Sequence, residues 1–219
     1  MASPPPSRSR GRPVANAEQD VRSRLLDAAI ALYARQGIAA TSMAQVAKAA
    51  GVTPAMVHYY FSNRDRLLDA LVDERLAPNI AQVWAAIDDA PDDARAQLRE
   101  VIARLTARVA ELPWLPTLWI GEVLNDSGLL RERMLARLPL SQLQKLAAAL
   151  TAAQACGDLH PDIAPRLMPV SVLGLVMLPF VVLRLLAAVP GFPAPDPDLI
   201  ARHATALLLH GLSTPREDS

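Results

Sequence analysis

Cysteine, glycine and aromatic rings are all scarce in this 219-residue chain. The single cysteine, Cys156, excludes an intrachain disulfide. No second thiol, paired histidine or CxxC unit stands near it at metal-ligand spacing. A reducing, cytoplasmic setting suits such a sequence. Aromatic residues make up 4% of the chain and glycines number nine, while Ala and Leu dominate from Leu25 to Leu212, which favours helix over sheet by intrinsic propensity. The four histidines are dispersed, no nucleophile stands at a set spacing from a base, and no glycine-rich phosphate loop occurs. Neither an enzyme nor a bound metal or cofactor is therefore expected. The N-terminus also lacks the apolar stretch of a secretory signal, since Pro4 to Pro6 and the arginines up to Arg12 take its place.

What is there is apolar and helical. Hydrophobic residues make up 52% of the chain, enough to bury a full core and to support an all-α fold. Formal charge is zero overall, yet it is unevenly spread. Through Arg66 there are nine Lys or Arg against four acids, leaving +5, and the remainder carries −5. A basic head on an acidic body implies a polyanionic partner for the head, because neutralising phosphates releases counterions.

Met1 to about Asp20 is rich in Pro, Ser and Arg without apolar periodicity, and reads as a disordered basic arm over residues 1–19. Leu25, Leu26, Ala29, Ile30, Leu32 and Tyr33 then recur at helical spacing until Gly37. Ser42 with Gln45 forms a capping box for a second helix, which Gly51 ends. Thr53 caps a third, with Pro54 at its first position, where the missing N–H costs nothing. Ser62 with Asp65 repeats the capping pattern for a fourth, in which Pro78 predicts a kink. Further helices are expected over about 93–111, 115–125, 128–137, 141–156, 162–188 and 197–212, the last capped by Asp196.

Ala47, Gly51 and Val57 stand at helix-turn-helix spacing: a small residue where two helices cross, a glycine able to take positive φ, and a β-branched residue locking the second helix. The stretch from Leu25 to Leu71, with ALYARQGIAATSMAQVAKAAGVTPAMVHYYFSNRDRLLDAL at its centre, resembles the tetracycline-repressor (TetR) family of regulators. The resemblance implies a helix-turn-helix head over 20–67, a helical-bundle ligand-binding and dimerisation body over 68–213, a tail at 214–219, and about nine or ten helices in all. It also implies that the third helix enters the major groove of operator DNA, with Thr53, Pro54, Ala55, Met56 and Tyr59 on the DNA surface and Val57 and Phe61 facing inward. Ser42, Gln45, His58 and Arg64 match positions that approach phosphates, a role suited to helix N-termini and cations. Many relatives carry a tyrosine followed two residues later by a histidine, whereas this chain has His58, Tyr59 and Tyr60. Arg10, Gly11, Arg12 and Pro13 resemble the core of an AT-hook that enters a minor groove. The other reading of that segment is a solvated basic tail.

Leu167 to Leu183 carries no charge over seventeen residues, near the lower limit for a membrane span. Pro169 and Pro179 within it, and Arg166 and Arg184 around it, point instead to a buried helix. In the family the last two long helices form an intersubunit four-helix bundle, which implies a homodimer with Leu199, His203, Leu207 and His210 along part of the seam. His203 and His210 are about 10.5 Å apart along a helix, too far to share one ion. Trp84, Trp114, Trp119, Met177 and Phe180 are the large side chains expected to edge a cavity for a small apolar ligand, with Glu122 as a polar anchor. Ordinary core packing is the competing reading for each. Family resemblance implies a repressor released from its operator when that ligand binds.

Overall fold

The computed structural model describes residues 14–90, 93–192 and 194–211, with the side chains of residues 14–17, 210 and 211 outside that description. Arg10, Arg12, the tail at 214–219 and the His210 ring therefore lie outside the described residues. The chain divides into two compact units, Met1–Ala70 and Leu71–Ser219. Among the described residues there is no strand.

In the first unit, α1 (Val14–Gln36), α2 (Met43–Ala50) and α3 (Pro54–Phe61) precede α4 (Arg64–Leu71), which crosses the division. Helix α1 starts well before the end of the arm expected over 1–19. Nothing from Val14 to Asp20 breaks a helix, and Ala15, Ala17, Glu18 and Gln19 are good helix formers by propensity. Leu25, Leu26, Ala29, Ile38, Val46, Ala47, Val57, Phe61, Leu67 and Leu68 are among the buried side chains of this unit. Gly37, at φ 80°, ends α1, and its N–H donates to the Tyr33 carbonyl at 2.9 Å.

The second unit is built around α7 (Ala94–Glu111), against which α5 (Ala77–Trp84), α6 (Ala86–Asp89), α10 (Leu140–Ala155), α11 (Met168–Leu186) and α12 (Pro197–Gly211) pack. Helix α7 can take five neighbours because Leu98, Val101, Ile102, Leu105 and Val109 are buried at three- and four-residue spacing, with Gln97 and Thr106 buried beside them. Thr106 is satisfied locally, its hydroxyl donating to the Ile102 carbonyl at 2.8 Å. The carboxylate of Asp93 accepts from the Arg95 amide at 2.9 Å and starts α7, while Asp196 does the same for α12 through the amides of Asp198 and Leu199.

Two helical runs contain π-turns, Val72–Leu76 ahead of α5 and Trp119–Val123 after α8 (Leu115–Leu118). The first lies just before Pro78. A proline has no N–H to give and crowds the carbonyl four residues back, and the wider turn absorbs that mismatch where a kink was expected. The helix expected over 115–125 thus becomes one short α-turn and one π-turn. That expected over 128–137 shrinks to α9 (Arg131–Leu135), because Gly128 sits hard against the chain at Glu122: a Cβ built on it would lie 2.2 Å from the Glu122 carbonyl oxygen. Pro165 and Pro169 set the entry to α11 through a short 3-10 turn, Pro165–Leu167.

Helix α11, expected as a buried helix with an intersubunit seam, buries Met168, Val172, Val176, Met177 and Phe180 within the single chain. Pro165–Leu186 is long and apolar enough to cross a membrane, with mean hydropathy 2.2, and only 22% of its most apolar window is buried within the single chain. Leu178, Val182 and Leu185 are exposed along one stripe of α11, and Leu199 and Leu207 are exposed on α12.

Candidate nucleic-acid interface and body cavity

Helix α2, the first helix of the helix-turn-helix, is set locally at both ends. The Ser42 hydroxyl accepts from the Gln45 amide at 3.2 Å and the Gln45 side chain accepts from the Ser42 amide at 2.7 Å, closing the expected capping box. At the far end of α2, Gly51 takes φ 69°. Its amide donates to the Lys48 carbonyl at 3.2 Å and that of Val52 to the Ala47 carbonyl at 3.0 Å, the paired bonds of a Schellman turn. Thr53 then occupies the N-cap position of α3 in extended conformation, but its hydroxyl makes no capping bond, unlike the expectation.

Helix α3 has two unlike faces. Val57 and Phe61 are buried, whereas Pro54, Ala55, His58 and Tyr59 are exposed and recur at helical spacing on one face, with Met56 half-buried. Tyr59 is 74% exposed and meets Tyr60 edge-to-face at 5.1 Å between ring centroids. Burial, with smaller effects from Glu18 and Tyr59, raises the Tyr60 phenol above its ordinary value, so it stays a neutral hydrogen-bonding group. His58 Nδ1 lies 3.0 Å from the Ser62 carbonyl oxygen. A carbonyl only accepts, so Nδ1 is the donor in this contact.

The end of α3 differs from the sequence expectation. Ser62 adopts φ 55° and closes α3, its amide donating to the His58 carbonyl at 2.8 Å. A residue in that conformation cannot also cap α4. Asn63 takes the task, its side chain accepting from the Arg66 amide at 3.0 Å.

Arg64, expected as a phosphate ligand, is half-buried and donates through Nη2 to the Thr41 carbonyl at 2.7 Å. It ties the loop after α1 to the start of α4. Arg22 is also engaged, its guanidinium 4.7 Å from the centre of the Phe61 ring and Nη1 donating to the Tyr60 carbonyl at 3.4 Å. The cation that sequence reasoning passed over is Lys48, exposed in the last turn of α2. Its position three residues before Gly51, off the buried stripe of Val46, Ala47 and Ala50, was the available signal.

In the body, an apolar cavity of about 210 Å³ opens among α5, α7, α8, α10 and α11. Trp84, Trp119 and Met177 line it together with Ile80, Val83 and Leu105. Trp114, Phe180 and Glu122 are not among its lining residues. Glu122 is held elsewhere: its carboxylate accepts from the Leu129 amide at 3.2 Å and its carbonyl from the Leu130 amide at 3.3 Å. A larger and more open groove of about 1050 Å³ runs along α6, α7 and α10. Its charges are engaged internally, Asp88 with Lys145 and Gln142, and Arg95 with the carbonyls of Asp158 at 2.9 Å and Leu209 at 3.1 Å.

Residues 25–71 match the family model described as bacterial regulatory proteins, tetR family. The chain is similar to the transcriptional regulator BetI of Rhizobium meliloti (strain 1021), 41% identical over 51 residues, which is 23% of this chain and 25% of that protein. It is also similar to the nicotine-responsive transcriptional repressor HdnoR of Paenarthrobacter nicotinovorans, 32% identical over 95 residues, 43% of this chain and 44% of the relative. These matches span between a quarter and half of the relatives' length. In overall fold the chain is similar to the transcriptional regulator FadR from Bacillus subtilis, solved in complex with stearoyl-CoA, with TM-score 0.65, 21% identity, and 87% of this chain and 98% of that one covered.

Proposed function

We propose that this chain, whose residues 25–71 match the tetR family of bacterial regulatory proteins, is a homodimeric, non-enzymatic transcription regulator of the cytoplasm. It binds operator DNA through α3 and acts as a repressor released by a small apolar ligand. The observation that carries this reading is the two-faced third helix: Val57 and Phe61 lock it to the head, while Pro54, Ala55, His58 and Tyr59 face out beside the open cap residue Thr53. Backbone amides at a helix N-terminus and nearby cations hold phosphates, and exposed side chains on such a helix reach base edges. Pro54, Ala55 and Met56 bring few hydrogen-bonding groups, so apolar contact with thymine methyls and DNA shape carry much of the discrimination.

The exposed stripes of α11 and α12 support dimerisation through these two helices. Pro179, Val182, Leu183, Leu199, Ile200 and His203 line an apolar groove between them, and a second copy of the same pair would cover it. The repressor role rests on the HdnoR relative, whose name records repression and response to a small molecule, and on the apolar cavity of this chain.

Binding to genomic DNA fragments at several salt concentrations tests the proposal. Wild type should prefer particular fragments, with affinity falling as salt rises. Tyr59→Ala should cost about 1–3 kcal/mol at the preferred site and relax its selectivity. Lys48→Ala should weaken all fragments alike and reduce the salt slope by about one. Equal binding of every fragment by wild type, unaltered by either substitution, would remove the DNA-reading role. Arg64→Ala is a poor probe, because it also cuts the tie to Thr41.

A further inference from the structure

Most of the net positive charge of the head stands ahead of its first helix. Residues 1–13 hold Arg8, Arg10 and Arg12 and no acid, +3, whereas residues 14–66 set six Lys or Arg against four acids, +2. Within that second stretch Arg22 and Arg64 are engaged by the fold itself. Phosphate binding draws on positive charge, so the helices of the head bring less of it than the segment that precedes them.

Helix α1 carries that segment to the DNA-facing side of α3. The Arg22 guanidinium lies 4.7 Å from the centre of the Phe61 ring and donates to the Tyr60 carbonyl at 3.4 Å, so α1 passes the last turn of α3 at Arg22. About one turn earlier, Glu18 acts on the Tyr60 phenol, and the Tyr60 ring meets Tyr59, exposed on the reading face, at 5.1 Å. Val14, where α1 begins, is a further four residues back, about 6 Å of helical rise. The chain thus enters the head beside the face that α3 presents.

Reach and residue type then select the partner of Arg10 and Arg12. On an extended chain they fall within about 14 and 7 Å of Val14, and adjacent major and minor grooves are centred about 17 Å apart, half a helical repeat. With α3 in the major groove, the two arginines lie at the minor groove beside it. Gly11 has no side chain to hold the backbone off the groove floor, and Arg12 precedes Pro13, a position that favours extended backbone. Arginine is drawn into narrow, A·T-rich minor grooves by their negative potential, whereas the guanine N2 amino group projects into the groove and obstructs it. We propose that Arg10, Gly11 and Arg12 occupy the minor groove adjoining the major groove that α3 enters, and select base pairs that lack a minor-groove amino group. This rests on the reading of α3 as the operator-binding helix and adds a second, groove-specific contact to it.

The test uses the full-length protein and two synthetic duplexes, alternating guanine·cytosine and alternating inosine·cytosine. They present the same major-groove groups and differ by the N2 amino group in the minor groove. Binding is followed by fluorescence anisotropy at low salt, where affinity without sequence preference is measurable. Wild type should bind the inosine duplex about tenfold more tightly. Arg10→Lys with Arg12→Lys keeps the charge but replaces guanidinium with the more strongly hydrated ammonium, and should bind the two duplexes alike. Tyr59→Ala should keep the wild-type ratio. Equal binding by wild type, or a ratio that survives the lysine pair, would leave the arm as a phosphate-neutralising tail and overturn the proposal, as would a ratio abolished by Tyr59→Ala. Preference among genomic fragments is measured on the same samples. Wild type that separates the duplexes yet prefers no fragment would sink the α3 reading and leave the arm contact standing, while fragment preference with equal duplex binding would sink the arm contact alone.

Discussion

Gly51 and Gly128 are glycines for different physical reasons, and the two make different predictions. At Gly51 the backbone sits at φ 69° and a Cβ would meet nothing within 4 Å, so the constraint is conformational alone. Gly51→Ala should cost about 1–2 kcal/mol of stability, the ordinary penalty of the left-handed region, in urea unfolding of the purified protein. At Gly128 a Cβ would lie 2.2 Å from the Glu122 carbonyl oxygen and 2.6 Å from its carbon. Those atoms are backbone, so the turn must open, and Gly128→Ala should lose the bonds from Leu129 and Leu130 to Glu122. Its cost should exceed that of Gly51→Ala by about 1 kcal/mol or more, since a backbone clash and two lost hydrogen bonds go together. Gly51 was legible in the sequence because a helix end and a helix-turn-helix both ask for it. The role of Gly128 was not, because the close approach depends on a π-turn that no local pattern announced.

Among the elements, α6 and α10 are held by a polar tie at their surface. The Asp88 carboxylate accepts from Lys145 and, at 2.9 Å, from the Gln142 amide. The hydrogen bond from Lys145, then that from Gln142, holds this carboxyl below its ordinary value. A carboxyl lowered in the folded state stabilises it fully above the unfolded value and loses that contribution as pH falls through the folded one. Acidification should therefore lower the Tm of wild type slightly more than that of Asp88→Asn, followed by circular dichroism, and the difference should be small because the pair is solvent-exposed. Helix by helix, the capped elements were the ones readable in advance. The capping box of α2, the Asp93 and Asp196 caps and the glycine ends at Gly37 and Gly51 are all short-range chemistry. Ser62 misled because its pairing with Asp65 resembles a cap, whereas the closing bond of α3 to His58 had a prior claim on its backbone.

For the whole molecule, the exposed apolar length of α11 and α12 is the feature that most needs a partner. Leu178 is 52% and Leu185 76% exposed, so replacing both with Glu should leave each chain folded while placing charges in the seam. The double variant should run as a monomer in sedimentation and bind operator DNA on the order of a hundredfold more weakly, because one head then loses the avidity of two. A double variant that remains dimeric would move the interface elsewhere. Wild type that enters the soluble fraction only with detergent would favour a lipid surface over a second copy.

Composition and short-range pattern by themselves determined the all-helical fold, the helix-turn-helix, its turn glycine, and the split between a basic head and an acidic body, because helical periodicity, caps and charge are properties of residues a few positions apart. Tertiary structure alone decided which large side chains share a cavity. Trp84, Trp119 and Met177 meet there while Trp114, Phe180 and Glu122 point their chemistry elsewhere, since that outcome depends on how helices distant in sequence pack. It also decided that Arg64 is bound to Thr41. A side chain's partner is set by the three-dimensional path of the chain, which residue type and spacing do not encode.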